Sequence, residues 1–377
     1  MMHKQKMKVL QWLTIMTAMI YYGCDNNSSQ HDSYSIIDST VTPMVETTPV
    51  PSRAGEDAAD DPAIWIHPED IMKSKIIGTD KTGGLAVYNL QGAEVYYYPV
   101  GRANNVDVSY NFQMGDHTVD VVAATNRSDN TLTLMRVEQS TGELFDIAAR
   151  KMESGVAEVY GITTYVSPQT NHHYVFVNGK EGMVEQWKLF ATDQNKIDAE
   201  VVRTFQLESQ PEGMVADNEK AYLYVGEENR CIWKYGAEPD DGNTRQKVYY
   251  SDTSNPQIDY DIEGLALYYA SGGKGYLIAS SQGNNAFAIF ERWGDNKYVT
   301  SFRVKEGRGI DGLEETDGID VINRSFSATF PGGFFVAQDG LNYEGDSLKN
   351  QNFKLIDWRD ISRLVEPALM VDTAYQP

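Results

Sequence analysis

Apolar and polar residues alternate in short runs along most of this chain. Short, wholly apolar runs such as residues 85–88 and 286–290 stand among these segments, and turn-forming residues separate them. An alternation with a period of two is typical of a β-strand that buries one face. No convincing long amphipathic helix follows residue 49. The pattern therefore predicts an all-β fold.

A short pair of residues, mostly polar or acidic, stands directly before a predicted strand, and this arrangement recurs six times. The pairs are Asp60-Asp61, Asn104-Asn105, Tyr160-Gly161, Glu212-Gly213, Glu263-Gly264 and Asp317-Gly318. Counted from positions 61, 105, 160, 212, 263 and 317, the steps between them are 44, 55, 52, 51 and 54 residues. Near-equal steps of this length indicate a repeat architecture with six units.

Each unit contains a second strand that ends in a polar cluster, and several units show a third and a fourth strand. Four antiparallel strands repeated six times predict a six-bladed β-propeller, in which radial repetition protects the strand edges. Two stacked sandwiches are the alternative, but they would not explain six near-equal steps. We expect residues 46–377 to form this single domain.

The repeat also predicts a site. The start of the first strand and the end of the second lie at the same edge of an antiparallel pair, and the first strand of each blade lines the central channel. One mouth of the channel should therefore hold Asp60, Asp61, Glu212, Glu227, Glu228, Asp261, Glu263, Asp311, Asp317 and Asp339. Lys81, Arg127, Tyr160 and Lys180 should lie beside these acids.

The N-terminus is expected to lie outside the fold. Basic residues precede an apolar run from Val9 to Tyr22, and Gly23-Cys24 closes that run. This pattern is typical of a lipoprotein signal peptide over residues 1–24, with a plain secretory signal as the alternative. Residues 25–45, rich in Ser, Asp, Thr and Asn, are expected to form a flexible tether. We thus expect an exported, membrane-anchored lipoprotein in which Cys231, the second of two cysteines, is a buried apolar residue.

The charge balance narrows the possible partners and metals. Fifty-four acidic and 32 basic residues leave no basic stripe of the kind that nucleic acid requires. Crowded carboxylates raise one another's pKa unless cations neutralise them. Oxygen ligands in this number suit Ca²⁺, while Mg²⁺ prefers fewer protein ligands. No histidine or cysteine cluster with zinc spacing is visible. Several Ca²⁺ ions are therefore the predicted cofactor.

The basic residues of the mouth suggest the substrate. Arginine matches phosphate with a planar fork, and lysine supplies a compact charge. Calcium ions beside Lys81, Arg127 and Lys180 would form a receptor for several phosphates, and a calcium-bound water would attack phosphorus directly. Taken singly, an acid-glycine pair is usually a turn and Lys81 a solvated charge. The recurrence at equivalent positions favours the functional interpretation.

Several familiar catalytic motifs are absent from the sequence. Asp259–Gly264 resembles the start of an EF-hand loop, but Ala270 stands where a bidentate glutamate is needed. The chain has no Gly-x4-Gly-Lys-Ser/Thr phosphate loop. It also lacks the Arg-His-Gly and Cys-x5-Arg motifs that would carry a phosphorylated enzyme intermediate.

Ordered motifs between about Glu46 and Trp358 resemble the β-propeller phytases, the bacterial 3-phytase or alkaline phytase family. The motifs are Asp60-Asp-Pro-Ala-Ile-Trp-Ile-His-Pro68, Ile77-Gly-Thr-Asp-Lys81, Asn104-Asn-Val-Asp107, Asn126-Arg-Ser128, Glu158-Val-Tyr-Gly161, Gly179-Lys-Glu-Gly182, Glu212-Gly-Met214, Asp261-Ile-Glu-Gly-Leu265, Ala279-Ser-Ser-Gln-Gly-Asn284, Thr316-Asp-Gly-Ile-Asp-Val321 and Phe335-Val-Ala-Gln-Asp-Gly340. The stretch 308–316 departs from the family's usual loop but keeps Asp311-Gly312. Two extra residues lie between Glu46 and Asp60.

The resemblance implies a six-bladed propeller that hydrolyses calcium-complexed phytate, with one subsite for cleavage and a neighbouring one for affinity. It implies calcium ligands in and around the mouth: Asp60, Asp61, Glu212, Glu228, Asp261, Glu263, Gln282 and Asp317, with the carbonyls of Pro62 and Val106. It assigns phosphate contacts to Lys81, Arg127, Tyr160 and Lys180. A further structural calcium would bind Glu46, Asp311, Gly312 and Asp339.

Two other functions stay open at this point. One is a different calcium-dependent propeller hydrolase, such as a lactonase, with one isolated metal ion and no need for the three basic residues. The other is a calcium-binding propeller without catalysis. In each case we expect a monomer that contacts the membrane only through its N-terminal lipid.

Overall fold

The computed structural model describes residues 37–375. The predicted signal peptide and the first part of the predicted tether lie outside this range. Strands β1 (Thr40–Val41) and β2 (Val45–Glu46) precede the repeated part of the chain. Among the described residues, no helix is long and apolar enough to cross a membrane.

The first three blades follow in chain order. Blade 1 contains β3 (Ala59–Trp65), β4 (Lys75–Asp80), β5 (Gly84–Tyr88) and β6 (Glu94–Tyr98), with a short 3₁₀-helix at Ile71–Lys73. Blade 2 contains β7 (Ala103–Met114), β8 (His117–Asn126), β9 (Thr131–Val137) and β10 (Leu144–Asp146), and β11 (Met152–Glu153) also pairs with β9. Blade 3 contains β12 (Val159–Val166), β13 (His173–Gly179), β14 (Met183–Ala191) and β15 (Ile197–Gln206).

The last three blades complete the repeat. Blade 4 contains β16 (Pro211–Asp217), β17 (Tyr222–Glu227), β18 (Cys231–Gly236) and β19 (Arg245–Lys247). Blade 5 contains β20 (Ile262–Ala270), β21 (Lys274–Ser281), β22 (Ala286–Glu291) and β23 (Tyr298–Val304), with a 3₁₀-helix at Gln282–Asn284. Blade 6 contains β24 (Ile319–Ile322), β25 (Phe334–Asp339) and β28 (Asn352–Asp357). A separate hairpin of β26 (Tyr343–Glu344) and β27 (Ser347–Leu348) lies between β25 and β28 in the chain, and helix α1 (Trp358–Ser362) follows.

The innermost strands form a closed ring. Strands β3, β7, β12, β16, β20 and β24 contact one another in this order, and β24 also contacts β3. Within each blade the consecutive strands pair antiparallel. The prediction of a six-bladed propeller with four-stranded antiparallel blades is therefore confirmed.

The N-terminal segment closes this ring. Strand β2 pairs antiparallel with β28, which places Val45 opposite Leu355 and supplies the fourth strand of blade 6. Strand β1 pairs in parallel with β23 and adds a fifth strand to blade 5. The described part of the segment expected to be a tether, residues 37–45, thus includes a strand that packs on a blade, with Val41 buried.

Five of the six residue pairs that define the repeat form β-bulges. The register of the two inner strands of a blade shifts at Asp60-Asp61, Asn104-Asn105, Tyr160-Gly161, Glu212-Gly213 and Glu263-Gly264. The sixth pair, Asp317-Gly318, directly precedes β24. A bulge redirects side chains at a strand end, so the repeat places polar groups around one mouth of the channel.

Two glycines let neighbouring inner strands approach closely at this mouth. A Cβ atom on Gly161 would lie 1.9 Å from the carbonyl oxygen of Glu212, and one on Gly213 would lie 2.1 Å from that of Glu263. Any side chain at these positions would force the strands apart. The glycines therefore bring successive acidic residues of the ring into backbone contact.

The hydrophobic core lies within and between the blades. Trp65 and Tyr268 are fully buried, and Tyr268 stacks on Trp358 at a centroid distance of 4.1 Å. Cys231 is buried among strands of blade 4 and carries no disulfide, as expected. At the end of the channel opposite the bulges, a cavity of 910 Å³ is lined by Asp107, Asp320 and the far ends of the inner strands.

Candidate active site

Glu212 lies at the centre of the group of acids in the mouth. It sits in the bulge of β16 and is almost completely buried. The Nδ2 atom of Asn104 donates to its Oε1 atom at 2.9 Å. Burial and the charge of Glu212 both raise the pKa of the Tyr160 hydroxyl. Ligand oxygens of Glu212, Glu228 and Glu263 all lie within 4.8 Å of one another. Three carboxylates at this spacing can share one divalent cation.

Two carboxylate oxygens of the mouth have no hydrogen-bond partner. They are Oε2 of Glu263 and Oδ1 of Asp60, and both residues are buried. A buried polar atom without a partner is costly, and most such atoms in folded proteins are paired. The unpaired oxygens are hard ligands beside other carboxylates, so the residues present fit a bound cation.

Burial raises the pKa of several acids in this group. It raises the pKa of Asp60 and Glu263 well above the ordinary values, and the charge of Glu212 raises both further. Burial also raises the pKa of Glu228 to about 7 and that of Asp317 to about 6. Without a cation, protons would neutralise part of the cluster near neutral pH.

Lys81 lies on the acidic side of the mouth, in the turn after β4. Its ammonium is 2.9 Å from Asp317, 3.0 Å from Asp60 and 2.5 Å from Asp57. Burial lowers the pKa of Lys81, but the charges of Asp60 and Asp317 outweigh this effect and raise the pKa above its ordinary value. Lys81 is therefore a permanent cation that also holds two candidate metal ligands in place.

The other two acids of the mouth differ in their surroundings. Asp61 points its Oδ2 atom at the backbone N–H of Val106, 3.0 Å away, and burial raises its pKa well above the ordinary value. Asp261 precedes β20 and is only partly buried, and burial raises its pKa with a contribution from Glu212. Gln282 donates to Asp317 at 2.7 Å, which ties the start of its 3₁₀-helix to the same cluster.

Cationic groups gather on the opposite side, around Tyr160. The Nζ atom of Lys180 lies 4.4 Å from the centre of the Tyr160 ring, and the guanidinium of Arg127 lies 5.8 Å from it. Arg127 also donates to the Oδ1 atom of Asn104 at 3.1 Å. Arg127 and Lys180 are partly exposed at the ends of β8 and β13, so a phosphate could reach both of them.

The sequence matches a known protein family over most of its length. A family model described as Phytase matches residues 8–377. This chain belongs to the phytase family. The 3-phytase of Bacillus subtilis (strain 168) is 43% identical over 327 residues, which cover 86% of this chain and 85% of that protein. The protein is accordingly a phosphoric monoester hydrolase that acts on a small-molecule substrate, as the sequence predicted.

Two solved structures are similar to this chain at a low level. The chain covers 78% of BBS1N, crystallised in complex with ARL6DN, with 76% of its own length at a TM-score of 0.43 and 11% identity. It covers 83% of the β-propeller domain of Myceliophteria thermophila Cps50 (Swd1) with 79% of its own length, again at a TM-score of 0.43 and 11% identity. Likenesses at this level carry no argument about function.

Asp311 and Asp339, which the sequence predicted in the mouth, instead form a second group of acids around Lys354. Asp311 and Asp339 both bond the buried ammonium of Lys354, which also donates to the carbonyl of Gly312 at 2.9 Å. Glu46 lies opposite Lys354 in the pairing of β2 with β28, and the Nδ2 atom of Asn352 lies 3.2 Å from its carboxylate. The structure thus gathers three of the four ligands of the predicted structural calcium around a lysine that the sequence analysis did not consider. A calcium ion at this position stays a prediction.

Glu227 does not contribute to the mouth, contrary to the expectation from the sequence. Its Oε1 atom accepts hydrogen bonds from the backbone N–H groups of Glu208 and Ser209, and its Oε2 atom accepts one from Trp233. Successive residues of a strand point to opposite faces, so Glu227 turns into the blade while Glu228, just past the strand end, faces the acids.

The sequence analysis also overlooked supporting residues of this phytase site. Asn104 was noted in a repeat pair and in a motif but was given no role, although it connects Glu212 with Arg127. Gln210 donates to Glu228 at 2.6 Å, and Asn178 donates to the carbonyl of Glu212 at 2.8 Å. An amide side chain at or near a bulge position was the one signal that pointed to them.

Proposed function

We propose that this phytase is calcium-dependent and releases phosphate from myo-inositol hexakisphosphate by direct attack of water. The observation that supports it best is the buried group of Glu212, Glu228 and Glu263, with an unpartnered oxygen, beside fixed cationic side chains. A site that needs added positive charge and also displays lysine and arginine suits a polyanionic ester.

The residues that would hold calcium are the carboxylates and amide of the mouth, with two backbone carbonyls behind them. They are Asp60, Asp61, Glu212, Glu228, Asp261, Glu263, Gln282 and Asp317, with Pro62 and Val106. When bound, calcium would neutralise these acids, polarise the phosphoryl oxygens and lower the pKa of water at the site. Calcium is favoured over magnesium because the site offers many oxygen ligands on strand ends of different blades.

The chain's own side chains would bind and orient the substrate. Lys81 approaches from the acidic side, while Arg127 and Lys180 approach from the side of Tyr160, so one phosphate ester could contact both groups. The Tyr160 ring holds the two cations by their attraction to its face. Because the pKa of its hydroxyl is raised by burial and by Glu212, Tyr160 stays protonated and donates a hydrogen bond rather than acting as a base.

The decisive experiment measures phosphate release from phytate by metal-stripped protein. We expect activity to vanish in chelator, to return with Ca²⁺ and to return weakly with Mg²⁺. Glu212→Gln should abolish the return, while Glu227→Gln, whose parent side chain bonds only within its blade, should retain it if folded. Full activity in chelator would contradict the proposal, and so would full recovery with Mg²⁺ alone.

Export and lipid attachment stay a prediction, as does the monomeric state. The basic start, the apolar run and Cys24 support export as a membrane-anchored lipoprotein, and these residues lie outside the described part of the chain. Labelling of expressed protein with a radioactive fatty acid, compared with Cys24→Ser, would test the anchor. Light scattering of residues 37–377 would test the monomer.

A further inference from the structure

Asn104 occupies an unusual position between the two charged halves of the site. It lies in the bulge of β7 and is completely buried. Its Nδ2 atom donates to Glu212 at 2.9 Å and to Oδ1 of Asn105 at 2.8 Å, while its Oδ1 atom accepts from Arg127 at 3.1 Å. One carboxamide therefore bridges a candidate metal ligand and a candidate phosphate ligand.

The chemistry of the two partners explains why an amide stands here. A guanidinium only donates hydrogen bonds, and an ionised carboxylate only accepts them. A side chain that joins them must offer an acceptor at one end and a donor at the other. Aspartate would present an acceptor to Glu212 and repel it, and leucine would bond neither partner. The charges also fix the orientation of the Asn104 amide. The reverse orientation would place the amide oxygen against the carboxylate of Glu212 and the amide nitrogen against the guanidinium of Arg127.

The bridge spans the ring of inner strands. Asn104 belongs to blade 2 and Glu212 to blade 4, and Tyr160 of blade 3 lies between them. The ring of Tyr160 lies 5.8 Å from the guanidinium of Arg127. The Asn104 amide is thus the hydrogen-bonded link from Glu212 to Arg127. The guanidinium and the carboxylate cannot move independently without breaking hydrogen bonds.

We infer that Asn104 is a positioning residue that couples cation binding at Glu212 to phosphate binding at Arg127. A cation that draws the Glu212 carboxylate into place also sets the amide and, through it, the guanidinium. A phosphate that orders Arg127 stabilises the same arrangement from the other side, because such coupling is reciprocal. This inference rests on the proposed roles of Glu212 and Arg127.

The test compares Asn104→Leu, a change of similar volume, with the parent enzyme. We expect KM for phytate to rise about tenfold, since a hydrogen bond to a charged group is lost on each side, while kcat falls less. The Ca²⁺ concentration that gives half-maximal activity should rise in parallel. Without substrate, the increase in melting temperature on adding Ca²⁺ should shrink, and inorganic phosphate should inhibit more weakly.

A double-variant cycle separates coupling from simple addition. If Asn104 acts through Arg127, then Asn104→Leu/Arg127→Leu should raise KM little beyond the larger single effect. If the increases in KM of the two single variants multiply in the double variant, the inference is wrong. Asn323→Leu is the matched control, because Asn323 is also buried but bonds backbone carbonyls of Tyr269, Asp372 and Tyr375. It should lower stability and leave KM and the calcium dependence unchanged.

The outcomes also distinguish this inference from the proposed function. If Arg127→Leu leaves KM unchanged, the phosphate role of Arg127 fails and the proposal above needs revision. If Arg127→Leu raises KM but Asn104→Leu changes neither KM nor the calcium dependence, only the coupling is wrong. Should Asn104→Leu fail to fold, Asn104→Ser, which keeps a short donor and acceptor, should show the same changes at smaller size.

Discussion

The ammonium of Lys81 lies 2.9 Å from the Oδ2 atom of Asp317, across the junction of blades 1 and 6. These two residues come from opposite ends of the propeller sequence, so the contact exists only because the ring closes. The same ammonium contacts Asp60. Lys81 is expected to bind phosphate, and it also holds the expected metal ligands Asp60 and Asp317 in place. The predicted metal and phosphate sites therefore meet at Lys81.

Replacing Lys81 with methionine should reduce activity strongly. The variant keeps the aliphatic stem but leaves Asp60 and Asp317 without their counter-charge and removes one phosphate contact. Since a hydrogen bond between charged groups is worth about 1.5–3 kcal/mol, we expect kcat/KM for phytate to fall about 10- to 100-fold. The control Lys297→Met changes an exposed lysine in a turn of blade 5 and should have no effect. Unchanged kcat/KM in Lys81→Met would show that Lys81 is structural only.

The pH dependence of stability should reveal the crowded acids. In the unfolded chain Glu228 and Asp317 ionise near their ordinary pKa values of 4.5 and 3.8, but burial raises these values to about 7 and about 6 in the folded protein. Between about pH 4 and pH 7 the folded state therefore holds protons that the unfolded state has released. Their contribution to stability is fully present at low pH and is lost as the pH rises through 7.

We therefore expect a defined thermal signature in chelator. The melting temperature of the parent should decrease between pH 5 and pH 8 by more than that of Glu228→Gln, which cannot ionise. Adding Ca²⁺ should raise the melting temperature more at pH 8 than at pH 5, because the cation binds only the ionised acids. Equal pH dependence of the parent and of Glu228→Gln in chelator would contradict the assignment.

The sequence predicted where most of the polar residues of the mouth lie, because their positions follow a repeat. Acid-glycine and amide pairs at near-equal steps marked the bulges, and the ends of the second strands marked Lys81, Arg127, Lys180 and Glu228. These positions depend on local strand geometry, which alternation and turn residues determine. The six blades followed from the same signal.

What the sequence could not provide are contacts that depend on the closed ring. The bridge from Asn104 to Glu212 joins residues on blades that are not neighbours. Lys354 of β28 meets Asp311, which lies in the loop before β24. Glu227 and Glu228 looked equivalent in the sequence. Which of them faces the channel depends on the bulge at Glu212-Gly213, next to the pair of Pro211 and Glu227. Such relationships appear only once the blades are packed.

Gly213→Ala should damage both stability and activity. The new Cβ atom would lie 2.1 Å from the carbonyl oxygen of Glu263, so the inner strands of blades 4 and 5 must separate where Glu212 and Glu263 meet. Overpacking of this kind costs about 1–3 kcal/mol, and the metal ligands would move with the strands. We expect a lower melting temperature and a higher Ca²⁺ requirement.

The matched control for this change is Gly115→Ala. Gly115 has a φ of +62° in an exposed turn, and a Cβ atom there meets nothing within 4 Å. The substitution should cost about 1–2 kcal/mol through backbone strain alone and leave the Ca²⁺ requirement unchanged. If both variants shift the Ca²⁺ requirement equally, the effect of Gly213→Ala cannot be assigned to the approach of the two strands.

Replacing Arg292 should lower the stability of the fold without affecting catalysis. Its guanidinium is fully buried and bonds both carboxylate oxygens of Asp217, at 2.7 Å and 2.6 Å, and it lies 4.1 Å from the centre of the Tyr269 ring. This pair joins blades 4 and 5 at the end of the channel away from the acids. Breaking a buried ion pair from one side leaves an uncompensated charge, which costs about 3–5 kcal/mol.

Arg292→Met should therefore lower the free energy of unfolding by about this amount, while kcat, KM and the Ca²⁺ requirement of the folded fraction stay those of the parent. Arg292 also bonds the partly exposed Glu219, so adding Asp217→Asn removes the fully buried one of two stranded charges. It should recover part of the loss, because the amide of the new side chain can be satisfied without an ion. Denaturant unfolding of the three variants and the parent, with activity measured below the melting transition, checks both parts. A double variant less stable than Arg292→Met would mean that Asp217 stabilises the blade through contacts other than this ion pair.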